Sequence, residues 1–217
     1  MITVIIGGSG SGKSVIIKHI MGLFKADRGE VRVFGTDITP LGRNEMIPIR
    51  MRFGMLFQHA ALLDSLNIFE NIAFPLRERT KLSRKEIKER VEEICERVAI
   101  TEMMYRSTGE ISEGQKKRVG LARAIITKPE VLIYDEPTTG QDPIRTRQVD
   151  DMIVEAQEMF KITTIVISHD MASTFRVAHR IAMLNEGKIL AYGTPNDLMS
   201  SADPQVHHFI FAGSGEE

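Results

Sequence analysis

The 217-residue sequence predicts an α/β fold: a mostly parallel sheet with a helical insertion in its middle. Three observations carry this. Residues 1–6, 131–134 and 163–167 are short, nearly all-apolar and mostly β-branched runs, the pattern of strands buried on both faces. The first ends in glycines and is followed at once by an amphipathic stretch, so the chain passes from strand through a tight loop into helix. Between residues 82 and 126 the period changes to that of helices with charged outer faces, broken by a turn region at 101–111.

The remaining elements follow in order. Residues 14–24 read as a helix burying Val15, Ile16, Ile17, Ile20, Met21 and Phe24. Strands are expected at 30–34 and 53–57, and a last pair at 181–184 and 188–192 flanks the hairpin turn Asn185-Glu186-Gly187. No repeat, low-complexity tract or Pro/Ser-rich linker interrupts the chain. The reading is therefore one domain, residues 1–217, with a core of 1–58 and 128–217 and a helical subdomain of 59–127.

Composition bounds the function. Lys and Arg number 28 against 29 Asp and Glu, for a net charge of -1, which argues against wholesale nucleic-acid or anionic-membrane binding. The lone Cys95 cannot form an internal disulfide, which fits a reducing cytoplasm. It shares a helical face with Ile87, Val91, Ile94 and Val98, so it reads as core. No run approaches the ~20 apolar residues of a membrane span, and the start reads as no signal sequence. The expected place is cytoplasmic, with any membrane contact made through partners.

Gly7-Gly8-Ser9-Gly10-Ser11-Gly12-Lys13-Ser14 fits G-x-x-x-x-G-K-[ST] between a strand and a helix. Glycines let successive backbone N–H groups converge on phosphate oxygens, and the following helix points its positive end there. Lys13 would neutralise the β- and γ-phosphates and Ser14 would ligate Mg²⁺. Kinases, GTPases and motors share such a loop, so it does not name the reaction. Val131-Leu132-Ile133-Tyr134-Asp135-Glu136 then places two acids at the end of a buried strand. Asp135 can hold Mg²⁺ through water, and Glu136 can reach a water lined up on the γ-phosphate. Acids also commonly end strands simply to meet solvent.

Further along, Ile111-Ser112-Glu113-Gly114-Gln115 resembles the signature of ABC ATPases, usually written LSGGQ, and Ser168-His169-Asp170 resembles their switch histidine. Gln58 sits where that family carries its Q-loop glutamine, and Gly140-Gln141-Asp142 occupies the D-loop position. With the phosphate loop and the paired acids, these elements occur in family order over essentially the whole chain. The resemblance implies a P-loop NTPase fold of the ABC nucleotide-binding kind, with a RecA-like core, that binds ATP and Mg²⁺. It implies catalytic roles for Glu136, His169 and Gln58, and Mg²⁺ ligation by Ser14, Gln58 and Asp135. Ser112, Gly114 and Gln115 would act on ATP held by a second copy, with Asp142 in the D-loop, so the chain is expected to work as a head-to-tail dimer. Ser112 and Gln115 also form a capping-box pattern that opens a helix, whose N-terminus suits a phosphate.

Three features depart from the family pattern. Glu113 stands in place of a glycine, and Gln141 in place of a customary leucine. Family members carry further strands and an adenine-stacking aromatic ahead of the phosphate loop, whereas this sequence begins six residues before Gly7. The expectation is weaker ATP binding than a longer version would show.

For subtype, the stretch from Phe53 to Glu78 resembles the ATPases of Mla/MCE phospholipid-trafficking systems, notably Asn71 with Ala73-Phe74-Pro75-Leu76-Arg77. The phosphate-loop region and the tail from Asp203 to Phe209 resemble the same group. That likeness implies a transmembrane permease and an MCE-domain protein as partners, and a place on the cytoplasmic face of a bacterial inner membrane. ATPases of amino-acid importers share much of the stretch and remain the alternative, followed by a soluble non-transport ABC ATPase and a non-catalytic subunit. Leu62, Leu63 and Phe69 are open between a permease-docking groove and core.

Overall fold

The computed structural model describes residues 1–212. Six strands form one sheet in the order β4-β5-β6-β1-β7-β8, where β1 is Ile2–Ile6, β4 Phe53–Phe57, β5 Val131–Asp135, β6 Thr163–Ile167, β7 Arg180–Asn185 and β8 Lys188–Gly193. The first five are parallel and β8 returns antiparallel to β7. The turn between them uses Glu186 at φ 47° and Gly187 at φ 74°, two left-handed residues that match the twist of a tight hairpin.

Side chains alternate across the sheet, so each face buries its own core. Ile2, Val4, Ile6, Leu132, Tyr134 and Val166 face one cluster, and Ile5, Ile133 and Ile167 face the other. Over the first cluster lie α3 (Ile68–Arg79), α4 (Arg84–Arg97) and α5 (Glu113–Ile125), then α6 (Pro143–Phe160) and α7 (Met171–Val177). The second is covered by α1 (Lys13–Ile20), α2 (Met46–Arg50) and the two-residue hairpin of β2 (Arg32–Val33) and β3 (Thr36–Asp37). Two short helices, α8 (Pro195–Met199) and α9 (Pro204–Ala212), end the described chain. No described helix is long and apolar enough to cross a membrane.

Three elements differ from their sequence expectation. The helix expected over 14–24 stops at Ile20, because Gly22 turns left-handed (φ 62°) and closes a Schellman cap: Gly22 N–H donates to His19 O and Leu23 N–H to Lys18 O, at 2.9 and 2.7 Å. Of the residues expected to be buried, Ile17 is; Ile16, Ile20 and Met21 are half-buried, and Val15 and Phe24 are exposed. The strand expected over 30–34 keeps only Arg32–Val33, since Phe34 and Gly35 both take positive φ and reverse the chain. The helical region begins earlier than residue 82, at Ile68. Asn67 caps that helix by accepting from Glu70 N–H at 2.8 Å, and Pro75 is carried inside it.

Candidate active site

Strand register assembles the site. Phe57, Asp135, Ile167 and Ile5 are paired in one line across β4, β5, β6 and β1. The residue following each strand end, or a few beyond it, therefore emerges along one edge: Gln58, Glu136, His169 and the loop from Gly7. This is the carboxyl edge of a parallel sheet, where α/β folds place ligands.

The loop is shaped by glycine where nothing else fits. Gly7 has φ 152°, and a Cβ there would lie 2.2 Å from the Leu184 carbonyl oxygen. Gly12, at φ 106°, precedes α1 without any side-chain cap, so the first amides of that helix stay turned toward the loop. Lys13 Nζ bends back over the loop to donate to the carbonyls of Gly7 (2.8 Å) and Gly8 (3.1 Å). Ser11 Oγ is buried with no partner among the described residues, and Ser9, Gly10 and Ser14 are exposed.

Opposite the loop, Asp135 is half-buried. Burial raises its carboxyl above the usual range, the neighbouring Glu136 adds to this, and Lys18 partly offsets it. Glu136 takes a left-handed backbone (φ 51°), an outlier for a long side chain. Its Oε2 accepts from Thr139 Oγ1 at 2.9 Å and lies 2.7 Å from His169 Nδ1. Gln58 Nε2 donates to Thr139 O at 3.4 Å. Thr139 thus joins Gln58 to Glu136, a connection that nothing in the linear motifs announces. A cavity of about 600 Å³ is bounded by Gly7, Gly8, Ser9, Lys13, Glu136 and His169, with His208 and Phe209 of α9 on its rim. Those two α9 residues were also not anticipated as site residues.

The donor set fits a nucleotide triphosphate with Mg²⁺. A loop closed to any side chain at Gly7, an orphaned hydroxyl at Ser11 and a lysine resting on backbone carbonyls form a cradle suited to anionic oxygens, and Ser14, Gln58 and Asp135 carry oxygens of the kind that would hold Mg²⁺.

The signature residues lie elsewhere. Ser112 Oγ accepts from Gln115 N–H at 3.3 Å, and Gln115 Oε1 accepts from Ser112 N–H at 2.8 Å, the reciprocal cap expected from sequence. With Gly114 they border a separate cavity of about 480 Å³, shared with Gln141 and Arg145. Glu113 is drawn along the helix to Lys116 Nζ at 2.7 Å. Asp142 accepts from Ile144 and Arg145 N–H, both at 3.0 Å, and so caps α6. Buried Lys117, whose ammonium is lowered from its ordinary value by burial, donates to the Pro137 carbonyl and ties α5 to the segment after Glu136.

Near Gln58, Leu63 is exposed, whereas Leu62 and Phe69 are half-buried against the core. Phe57, Phe74 and Tyr105 are exposed apolar residues missing from the sequence expectation. Asn71 is fully buried: its Nδ2 donates to Leu63, Leu66 and Asn67 carbonyls (each 3.0 Å) and its Oδ1 accepts from Leu63 N–H (2.8 Å). It therefore shapes the loop leading into α3.

Residues 1–139 match the ABC transporter family. The probable ribonucleotide transport ATP-binding protein mkl of Mycobacterium leprae is 36% identical over 209 residues, 96% of this chain and 60% of the relative. The methionine import ATP-binding protein MetN of Carboxydothermus hydrogenoformans is 40% identical over 194 residues, 89% and 57% respectively. The intermembrane phospholipid transport system ATP-binding protein MlaF of Haemophilus influenzae is 37% identical over 209 residues, 96% and 79%. The chain thus spans about 60% of the mycobacterial relative. Among solved structures, cbiO1 of Clostridium perfringens, part of the ABC transporter complex cbiONQ, superposes with a TM-score of 0.84 at 28% identity over 97% of this chain and 87% of that one. A dimeric ATP-binding cassette in a post-hydrolysis state with ADP and Pi gives 0.74 at 27%, over 89% and 84%. With the phosphate loop, the paired acids and the capped signature in place, the chain belongs to the ABC transporter family.

Proposed function

We propose that this chain is the ATP-hydrolysing subunit of a membrane transporter, working as a head-to-tail dimer, with phospholipid as the cargo of the whole system. The observation that supports hydrolysis is the single register line that puts the phosphate cradle, Asp135, Glu136, His169 and Gln58 on one edge. Lys13 and the loop amides from Gly7 to Gly12 bind phosphate oxygens, and Ser14, Gln58 and Asp135 hold Mg²⁺, whose charge neutralises them. Glu136 accepts the proton of the attacking water, and His169, already 2.7 Å from it, orients that carboxylate toward the γ-phosphate.

The dimer reading is supported by the separation of Ser112, Gly114 and Gln115 from the cradle: they border their own cavity, which Gln141 of the D-loop also lines. Mixed dimers test it. One protomer carries Lys13→Ala and the other Ser112→Arg, which leaves one composite site intact. About half of wild-type turnover is expected from the isolated mixed dimer and near-background turnover from either variant alone; activity of each variant alone would refute sharing.

Partners are a permease and an MCE-domain protein, which hold the subunit on the cytoplasmic face of an inner membrane. The phospholipid reading rests on similarity to the MlaF protein over most of both chains. The second reading, an importer for amino acids or other small solutes, is favoured by the similarity to the MetN protein at 40% identity. The Asn71 contacts are neutral in this choice. An asparagine that builds a loop serves either cargo, so it does not select between them. Purification of the tagged chain with its membrane partners from the native host decides it. A permease with an MCE-domain protein and bound phospholipid supports the first reading, and a solute-importer permease supports the second.

A further inference from the structure

The segment that follows Gln58 is backbone-strained. Ala60 and Ala61 both lie in the left-handed region, at φ 57° and 47°, where an L side chain crowds its own carbonyl. Their amides are occupied, Ala60 N–H with Phe57 O at 2.9 Å and Ala61 N–H with His59 O at 2.7 Å. The turn is therefore a tight, non-glycine reversal immediately behind the glutamine.

One side chain holds it. Arg123, on α5, donates from one guanidinium nitrogen to Ala61 O at 2.8 Å and from the other to Ala60 O at 2.5 Å. The planar fork serves the two carbonyls from two separate nitrogens at fixed spacing, which the single nitrogen of a lysine ammonium does not reproduce. One turn earlier on the same helix, Gly120 makes room for the loop. A Cβ there would lie 2.6 Å from Leu56 Cδ1 and 3.0 Å from Ala60 Cβ. Ala60 is buried in that notch, 1% exposed. At its N-terminus the same helix carries the Ser112 cap.

We propose that Arg123 is a positioning residue for Gln58: with Gly120 it latches the strained Ala60–Ala61 turn onto the signature helix, so that the glutamine is held at the site and moves with α5. The helix is about 20 Å long at the rise of an α-helix, so it links the signature end to the Gln58 end as one rod. The latch depends on the reading of Gln58 as a Mg²⁺-site residue, and the test separates the two.

Four variants are compared for turnover, for Mg²⁺ and ATP concentration dependence, and for thermal midpoint: Arg123→Gln, Arg123→Lys, Gln58→Ala, and Arg123→Gln with Ala60→Gly and Ala61→Gly. Arg123→Gln is expected to lower kcat on the order of tenfold and to raise the Mg²⁺ requirement, with ATP affinity retained, because a misplaced catalytic group costs turnover steeply. Arg123→Lys guards against misfolding of the glutamine variant and is expected to lose nearly as much. Glycines adopt left-handed φ without strain, so adding them is expected to recover most of the lost turnover. A raised Mg²⁺ requirement well below the thermal midpoint is the result that a role in overall stability does not produce. Loss of kcat and thermal midpoint together, with no recovery from the glycines, would overturn the latch. So would an unaltered Arg123→Gln beside an impaired Gln58→Ala. An unaltered Gln58→Ala would instead remove the reading of Gln58 on which the latch rests.

Discussion

The carboxyl edge of the sheet and the start of α5 are the two regions assigned above to nucleotide chemistry, and they are organised by different means. At the edge, Ile5, Ile167, Asp135 and Phe57 are aligned by backbone pairing, so the groups that follow arrive together whatever their side chains do. At α5, Ser112 and Gln115 are organised by each other through a local cap and face a cavity of their own. The first region forms a nearly complete phosphate site within one chain; the second offers a prepared helix end to something outside it. The difference teaches that tertiary register aligns the proposed hydrolytic groups, whereas local capping prepares the surface proposed to meet a second copy.

The comparison breaks most sharply at Gly7. A methyl there meets the Leu184 carbonyl at 2.2 Å in a backbone conformation that alanine resists, so the loop must shift. Gly7→Ala is expected to abolish measurable ATP binding in a titration with a fluorescent nucleotide and to cost about 2 kcal/mol or more of stability in urea. At α5 the effect is smaller and of another kind. Ser112→Ala removes the cap, worth about 1 kcal/mol, and is expected to reduce turnover more than ATP binding if, as proposed, the serine acts on a second copy's nucleotide. Comparable loss of ATP affinity in both variants would erase the distinction between the two regions.

The smallest effect lies in the core that both regions share. Burial pushes the Cys95 thiol from 9.0 up to about 12 and raises the Tyr134 hydroxyl as well. The folded state then keeps protons that the unfolded chain releases. Stability from these groups is full below about pH 9 and is lost as pH climbs through the folded values. Urea midpoints at about pH 7.5 and about pH 10.5 should therefore fall in that order, and Cys95→Ala should flatten the difference. A Cys95→Ala protein with an unchanged alkaline slope would remove the thiol from the account.

Much of the edge was legible because each of its parts is linear. A glycine loop before a helix, two acids after four apolar residues, and a histidine after a β-branched strand each announce themselves within a few positions. The strands were legible for the same reason, since a buried parallel strand reads as one apolar run. What escaped depends on partners far away in sequence or on single punctuating residues. Gly22 stopped α1 early by adopting a left-handed cap, and Phe34-Gly35 cut a five-residue strand to two. Thr139 bridges Gln58 and Glu136 across 81 and 3 positions, and Arg123 reaches Ala60 from 63 away. The helix starting at Ile68 was masked by Pro75, which argues against a helix interior unless the turn before it can spare the lost amide bond.

The central claim is that the carboxyl edge is a hydrolytic centre with Glu136 as its base, and turnover of Glu136→Gln in Mg²⁺-ATP tests it most directly. The account predicts a fall of about 10²- to 10⁴-fold with ATP still bound, because the amide keeps the shape but cannot take the proton. Turnover within about twofold of wild type, with ATP bound equally well, would contradict it and move the base to another residue of the edge.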